Sequence, residues 1–312
     1  MFLKKGDLVD VVSPASSITK NEFAKIKLFL EENGLRARFH MAGELLLKNK
    51  QSHNFPSFSA EKRFKQLHFA LENKESKAVW CVRGGYGSAD LIPFLEKLKP
   101  LPSKIFIGFS DVTSLGIFLQ QNWNWKIIYG PMLVQIVFDK VLAASKKAII
   151  DFIFGKKIEL KYKLIEKNSA AKALFSIEDE IVGGCLSVLA SHFSTSNQLN
   201  WHNKILFLED IDESGERLDR YFCQLVQIMA KIKSTPRAIL LGNYYHGLSS
   251  PKQKQNIAFA INKLADRLQE NKINIPLLEE KTKCLGHAKN MMPLLIGEKA
   301  KISNNMITQK FS

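Results

Sequence analysis

Ile105-Phe106-Ile107-Gly108-Phe109-Ser110-Asp111-Val112-Thr113-Ser114-Leu115 reads as an apolar strand, a tight turn through a glycine and a serine, and a helix beginning at Asp111. A turn of this kind builds a nucleophile elbow: the hydroxyl rises above the sheet, and the first backbone N–H groups of the helix aim at the same point. The order departs from the hydrolase G-x-S-x-G, because an aspartate and a valine follow the serine. A serine ahead of a helix also has a plain use as its N-cap, and on spacing alone that is the commoner explanation.

The flanking sequence supplies the sheet that such a turn needs. Leu8 to Val12 is a strand opening into Ser13-Pro14-Ala15-Ser16-Ser17, and a helix starts near Lys20 with Phe23, Ile26 and Leu30 on one face and Gly34 as its stop. Leu35 to His40 reads as the second strand, and Ser59 caps a helix to about Asn73 with Phe64, Leu67, His68 and Leu71 inward. Ala78 to Val82 and Ile105 to Phe109 follow as strands. Strands alternating with helices predict βαβ units and a parallel sheet.

Near Gly155 the pattern changes to a lysine-rich alternation, Ile158 to Leu164, and then to the polar Glu166-Lys167-Asn168-Ser169. The expected organisation is therefore an N-terminal parallel-sheet α/β domain over 1–155, a linker over 156–171 and a C-terminal domain over 172–312. The second half carries strands at 205–208, 238–241 and 275–278, with helices at about 215–230 and 251–269.

With 312 residues, 46% of them hydrophobic and 10% aromatic, the chain can bury a sizeable core, which excludes a disordered tract. No apolar run approaches the roughly 20 residues that span a bilayer, and Asp7 and Asp10 interrupt the only N-terminal apolar segment. A cytoplasmic protein with no membrane partner is expected. Cys81, Cys185, Cys223 and Cys284 form no C-x-x-C pair, so neither a zinc site nor a disulfide framework is suggested. The formal charge of +15 would permit nucleic-acid binding, but the basic residues are scattered, with no run of five or more. A lysine-rich surface is expected, without a nucleic-acid partner.

Three strand-exit segments hold candidate chemistry. Arg83-Gly84-Gly85-Tyr86-Gly87-Ser88 follows the third strand, where α/β sheets bind ligands, and its glycines let backbone N–H groups approach closely. An oxyanion hole shared between this loop and the Ser110 turn is physically sensible. A serine nucleophile needs a base, and the base an orienting acid. Of seven histidines, His246 and His287 both stand in strand-exit loops; His287 is preferred, and His246 competes on spacing. The carboxylates Glu209 and Asp210 end an apolar strand and point to opposite sides of it, so only one can face a histidine. For Asp210 the expected role is to serve the N-terminus of the next helix, and Glu216, Arg217, Asp219 and Arg220 on that helix could pair at i,i+3 and i,i+4.

In order along the chain these segments resemble the LD-carboxypeptidase family of serine peptidases. The likeness runs through Val12-Ser13-Pro14-Ala15-Ser16, Arg83-Gly84-Gly85-Tyr86-Gly87, Gly108-Phe109-Ser110-Asp111-Val112-Thr113, Gly130-Pro131-Met132, Gly183-Gly184, Leu208-Glu209-Asp210, Arg217-Leu218-Asp219-Arg220 and Gly286-His287. The resemblance implies a catalytic triad of Ser110, Glu209 and His287, with the nucleophile on one domain and the acid and base on the other. It places oxyanion donors at Gly85 and the N–H of Asp111, and substrate contacts at Arg83, Gly84 and Tyr86. It also implies a C-terminal domain with a smaller sheet or barrel and helices, a homodimer, no metal or organic cofactor, and removal of the terminal D-alanine from murein tetrapeptides in peptidoglycan recycling. A microcin C self-immunity peptidase, cutting adenylate conjugates, is the alternative within the family; Trp123 and Trp125 are then the candidate platforms for adenine. A non-catalytic binder of peptidoglycan fragments is the alternative outside it. The chain departs from the family pattern at Asp90, where an arginine is expected, at Cys185, where asparagine is expected, and over Lys289-Asn290-Met291-Met292-Pro293.

Overall fold

The structure is a computed structural model that describes residues 2–40, 58–245 and 250–311. The chain divides into two compact units, Met1–Ile158 with Met292–Leu294, and Glu159–Met291 with Leu295–Phe311. In the first, β1 (Leu8–Val12), β2 (Arg36–Arg38), β3 (Ser76–Cys81), β4 (Ile105–Ile107) and β5 (Ile127–Tyr129) pair in parallel in the order β5-β4-β3-β1-β2. Strand Leu294–Ile296 adds a sixth member beyond β5. Every residue of β1, β4 and β5 is buried, as their near-continuous apolar sequence requires of parallel strands covered on both faces. Parallel pairing sends the exits of β1, β3 and β4 to the same edge of the sheet.

The helices of this unit begin where their caps are. In α1 (Lys20–Glu32) the Thr19 hydroxyl accepts from the Glu22 N–H, and the Glu22 carboxylate accepts from the Thr19 N–H, a reciprocal capping box. Ser59 caps α2 (Ala60–Glu72). The inward face of α2 holds Leu67 and Leu71 as predicted, but Phe64 and His68 are displaced from it. Arg63, Gln66, Leu67, Ala70 and Leu71 are buried, whereas Phe64 and His68 are half-buried. Two polar side chains go inward because loop backbone awaits them there: Gln66 accepts from the Ser13 N–H at 2.8 Å, and Arg63 donates to the Pro14 carbonyl at 2.6 Å. Later in the unit come α3 (Thr113–Trp123) and α4 (Ala143–Ile153).

The second unit is a closed barrel. Its strands are β6 (Glu159–Glu166), β7 (Ser176–Cys185), β8 (Ile205–Glu209), β9 (Ala238–Leu241), β10 (Leu277–Glu280) and, after β11 (the strand Leu294–Ile296), the hairpin β12 (Lys299–Ser303) and β13 (Met306–Lys310). They close in the order β10-β6-β13-β12-β7-β8-β9, with β7 to β10 parallel and the other pairings antiparallel. Thus the segment 156–171, expected as a linker, contains barrel strand β6. Its alternation of apolar and charged residues is the period-2 signature of a strand with one face inward. The longer helices are α5 (Leu186–Ser191), α6 (Gly215–Ile232) and α7 (Pro251–Glu270). Asp219 on α6 reaches across to Arg267, at 2.8 Å, and to Lys263, at 3.1 Å, on α7 rather than along its own helix. Among the described residues, no helix is long and apolar enough to cross a membrane.

Candidate active site

In the first unit the strand-to-helix turn is sharper than expected. Ser110 opens a 3-10 turn, Ser110–Val112, and the α-helix starts only at Thr113. Ser110 caps neither element, so the N-cap explanation fails. Its φ is +64°, a left-handed conformation that costs a non-glycine residue roughly 1 kcal/mol or more and is kept where the surroundings enforce it. Those surroundings are the glycine loop. A Cβ on Gly84 would lie 2.9 Å from the Ser110 Cβ and 3.0 Å from its Oγ. The Asp111 carboxylate accepts from the N–H of Gly87 at 3.3 Å and of Ser88 at 2.9 Å, while the Ser88 hydroxyl donates to the Asp111 carbonyl. Gly84 in turn accepts from the Ser16 N–H at 3.3 Å. Sequence reading chose Ser110, Gly84 and Gly85; it missed Ser16, Ser88 and the Asp111 side chain, whose only signal was nearness to the strand exits.

This packing yields a direct expectation for Gly84→Ala. The added methyl must displace the serine, and if Ser110 is a nucleophile a shift approaching 1 Å there costs about 100-fold. Steady-state kinetics on the folded variant should show kcat/KM lowered by about that factor.

The other predicted contacts of this loop divide. Tyr86 is exposed. Arg83 is ion-paired with Glu22, the capping-box residue of α1, and its buried Nε meets no hydrogen-bond partner among the described residues. Asp90, the acid standing where arginine was expected, pairs with buried Arg63 at 2.8 Å.

In the second unit, parallel β8, β9 and β10 send their exits to one edge of the barrel. Glu209 ends β8 and is fully buried, and His287 follows β10 and is 6% exposed. Glu209 Oε2 lies 2.8 Å from His287 Nδ1 and accepts the His287 backbone N–H, also at 2.8 Å. A carboxylate can only accept, so Nδ1 carries the proton and the basic lone pair sits on Nε2. Gly286 makes this possible: its φ is +95°, and a Cβ there would lie 2.3 Å from Glu209 Oε2. His246, the competing base, lies outside the described residues, as does His53.

Burial alone would depress the His287 pKa, but the charge and hydrogen bond of Glu209 outweigh it and hold the imidazole above its ordinary 6.5. If His287 serves as a general base it must be neutral to take a proton, and kcat/KM is then expected to rise with pH along a limb centred above 6.5, which a pH–rate profile measures. The linked stability has the opposite sense. It is fully present below the unfolded pKa and is lost as pH climbs through the raised folded value.

Asp210 does not serve the following helix as expected. It is buried and accepts from the Ser187 N–H at 2.7 Å, the Ser187 hydroxyl at 3.1 Å, the Ile211 N–H at 2.9 Å and the Cys185 thiol at 3.3 Å. It thereby caps α5 and fixes the exit of β7. Burial, reinforced by neighbouring Glu209, pushes its pKa up to about 6. Asn243, which sequence reading passed over, holds the histidine loop. Its side-chain amide donates to the His287 carbonyl, its N–H donates to the Leu285 carbonyl at 2.8 Å, and its own carbonyl accepts from the Asp210 N–H at 3.2 Å.

Trp123 and Trp125, candidates for an adenine platform, are 7% and 0% exposed. Trp125 donates its indole N–H to the Leu101 carbonyl at 3.0 Å, and the two rings pack 6.0 Å apart. Both belong to the core and present no face for stacking. Among the described residues, no group of three or more His, Cys, Asp or Glu is arranged to hold a metal ion.

Comparison with known proteins places this geometry in context. Residues 9–130 match the profile of the LD-carboxypeptidase N-terminal domain, and residues 178–302 that of the LD-carboxypeptidase C-terminal domain. The chain is 33% identical to the probable murein peptide carboxypeptidase of Bacillus subtilis, over 82% of this chain and 77% of that one. It is 26% identical to the murein tetrapeptide carboxypeptidase of Pseudomonas aeruginosa, over 70% and 71% of the two chains. Among solved structures, the microcin C7 self-immunity protein MccF in complex with aspartyl sulfamoyl adenosine superposes with a TM-score of 0.76 at 19% identity, covering 100% of this chain and 98% of that one. That likeness establishes a shared fold.

Proposed function

Because this chain belongs to the LD-carboxypeptidase family, we propose that it is a serine carboxypeptidase that removes the terminal D-alanine from murein tetrapeptides. The bond cut joins the L-centre of the diamino acid to D-alanine. The enzyme acts in the cytoplasm, as a homodimer, on fragments returned from the cell wall. The left-handed backbone of Ser110 is the observation that carries this reading, since a strained, uncapped serine at a strand exit has a use as a nucleophile and none as a cap.

In this mechanism His287 Nε2 takes the proton of Ser110 as its Oγ attacks the scissile carbonyl. Glu209 keeps the imidazole in the productive tautomer and stabilises the imidazolium that forms. The N–H groups of Gly85 and Asp111 receive the oxyanion. The imidazolium then protonates the departing amine of D-alanine. Water, deprotonated by the same histidine, hydrolyses the acyl-enzyme.

A terminal D-alanine brings a free carboxylate, and Arg83 is the cation of the glycine loop that meets it. An adenylate conjugate needs an aromatic face, which buried Trp123 and Trp125 do not offer. Side-by-side incubations read by mass spectrometry should show loss of one alanine from the tetrapeptide, no cleavage of a pentapeptide ending in D-alanyl-D-alanine, and slow action at most on an aminoacyl sulfamoyl adenosine. Faster cleavage of the adenylate would assign the chain to the self-immunity branch.

A further inference from the structure

The geometry points to Arg63, held by Asp90, as a positioning residue for the oxyanion side of the site; this rests on the serine mechanism above. Arg63 is wholly buried although it lies on a helix that could have turned it to water. Its guanidinium serves four acceptors. Nε donates to the Phe58 carbonyl at 3.0 Å, Nη1 to the carbonyls of Pro14, at 2.6 Å, and of Gly87, and Nη2 to Asp90 at 2.8 Å. One planar group thus ties together the exits of β1 and β3, the second of which carries Gly85 close against Ser16 of the first.

The Gly87 residue is gripped from both sides. Its carbonyl accepts from Arg63, and its N–H donates to the carboxylate of Asp111, the residue after the nucleophile. A displacement of the Arg63 fork therefore passes through Gly87 to Asp111 and Ser110. The Gly85 N–H lies two peptide units earlier in the same loop. Neither Arg63 nor Asp90 touches the reacting atoms, so the effect belongs to alignment of the oxyanion donors, which matters in the transition state and hardly in the ground state.

Asp90 is the handle for a test. A buried guanidinium without a counter-charge is costly, but the Asp90 side chain is 47% exposed, so water can replace part of what its removal takes away and the variant should fold. Asp90→Asn keeps the shape and loses the charge that fixes the fork. The measurement is kcat and KM per active site, with sites counted by stoichiometric phosphonate labelling of Ser110. The expected result is a fall in kcat per labelled site of about tenfold with KM within about twofold, and recovery of most of the loss in Asp90→Glu.

A purely structural role would lower the number of labelled sites and leave kcat per site unchanged; that outcome overturns the inference. So would equal losses in Asp90→Asn and Asp90→Glu. If the phosphonate does not label Ser110 in the unsubstituted protein, the serine mechanism itself falls, and this inference with it.

Discussion

Ser110→Ala is expected to lower turnover of the tetrapeptide by about 10⁴-fold or more, because the proposed nucleophile is gone while binding remains. The fold should survive, since Ser110 caps no helix. Ser110→Gly separates the strain from the chemistry. Glycine adopts φ of +64° without penalty, so this variant should be equally inactive yet gain about 1 kcal/mol in stability. Thermal unfolding beside activity checks both: equal loss of activity, with the glycine variant melting about 2 °C above the alanine one. A folded alanine variant that keeps more than about a tenth of the original rate removes Ser110 from the mechanism.

The second large effect is expected at the histidine–carboxylate pair. His287→Ala should cost as much as loss of the serine, because residues that act as one unit fail together. Glu209→Gln should be milder but severe, on the order of 10³- to 10⁴-fold. The physical cause is particular to this geometry. Glu209 Oε2 accepts from both the backbone N–H and the Nδ1 of His287. A glutamine that keeps its oxygen on the backbone N–H lacks the negative charge that stabilises an imidazolium. One that turns its amide toward Nδ1 forces the proton onto Nε2, where the basic lone pair is needed. Full activity in His287→Ala together with none in His246→Ala would transfer the base to His246.

Much of this fold was legible because most of the parallel strands are predominantly apolar and the caps are standard. Thr19, Ser59, Ser214 and Ser250 each accept from a backbone N–H in the first turn, and each sits one residue before a periodic apolar pattern. The barrel was less legible. β7 runs Ser-Ile-Glu-Asp-Glu-Ile-Val-Gly-Gly-Cys, where acids and a glycine pair mask an apolar inward face. The hairpin strands β12 and β13 are short and carry three lysines in ten residues, and their partners other than each other lie more than a hundred residues away.

The candidate site shows the same division. Ser110, Glu209 and His287 stand at strand exits, which local pattern reveals. Arg63, Gln66, Asn243 and Asp210 act by satisfying loop backbone far off in sequence, so they look like surface or capping residues until the loops are in place. Asp210 is the plainest case: two of its donors, the N–H and hydroxyl of Ser187, lie 23 residues earlier rather than in the helix that follows it.

The covalent step at Ser110 is tested most directly by acid-quenching the enzyme during tetrapeptide turnover and mapping the adduct by mass spectrometry. The expected result is a peptide containing Ser110 that carries the tripeptide acyl group, with D-alanine released in equal amount in the first turnover. Sustained release of D-alanine with no covalent species, or an adduct on any other residue, would contradict the serine mechanism.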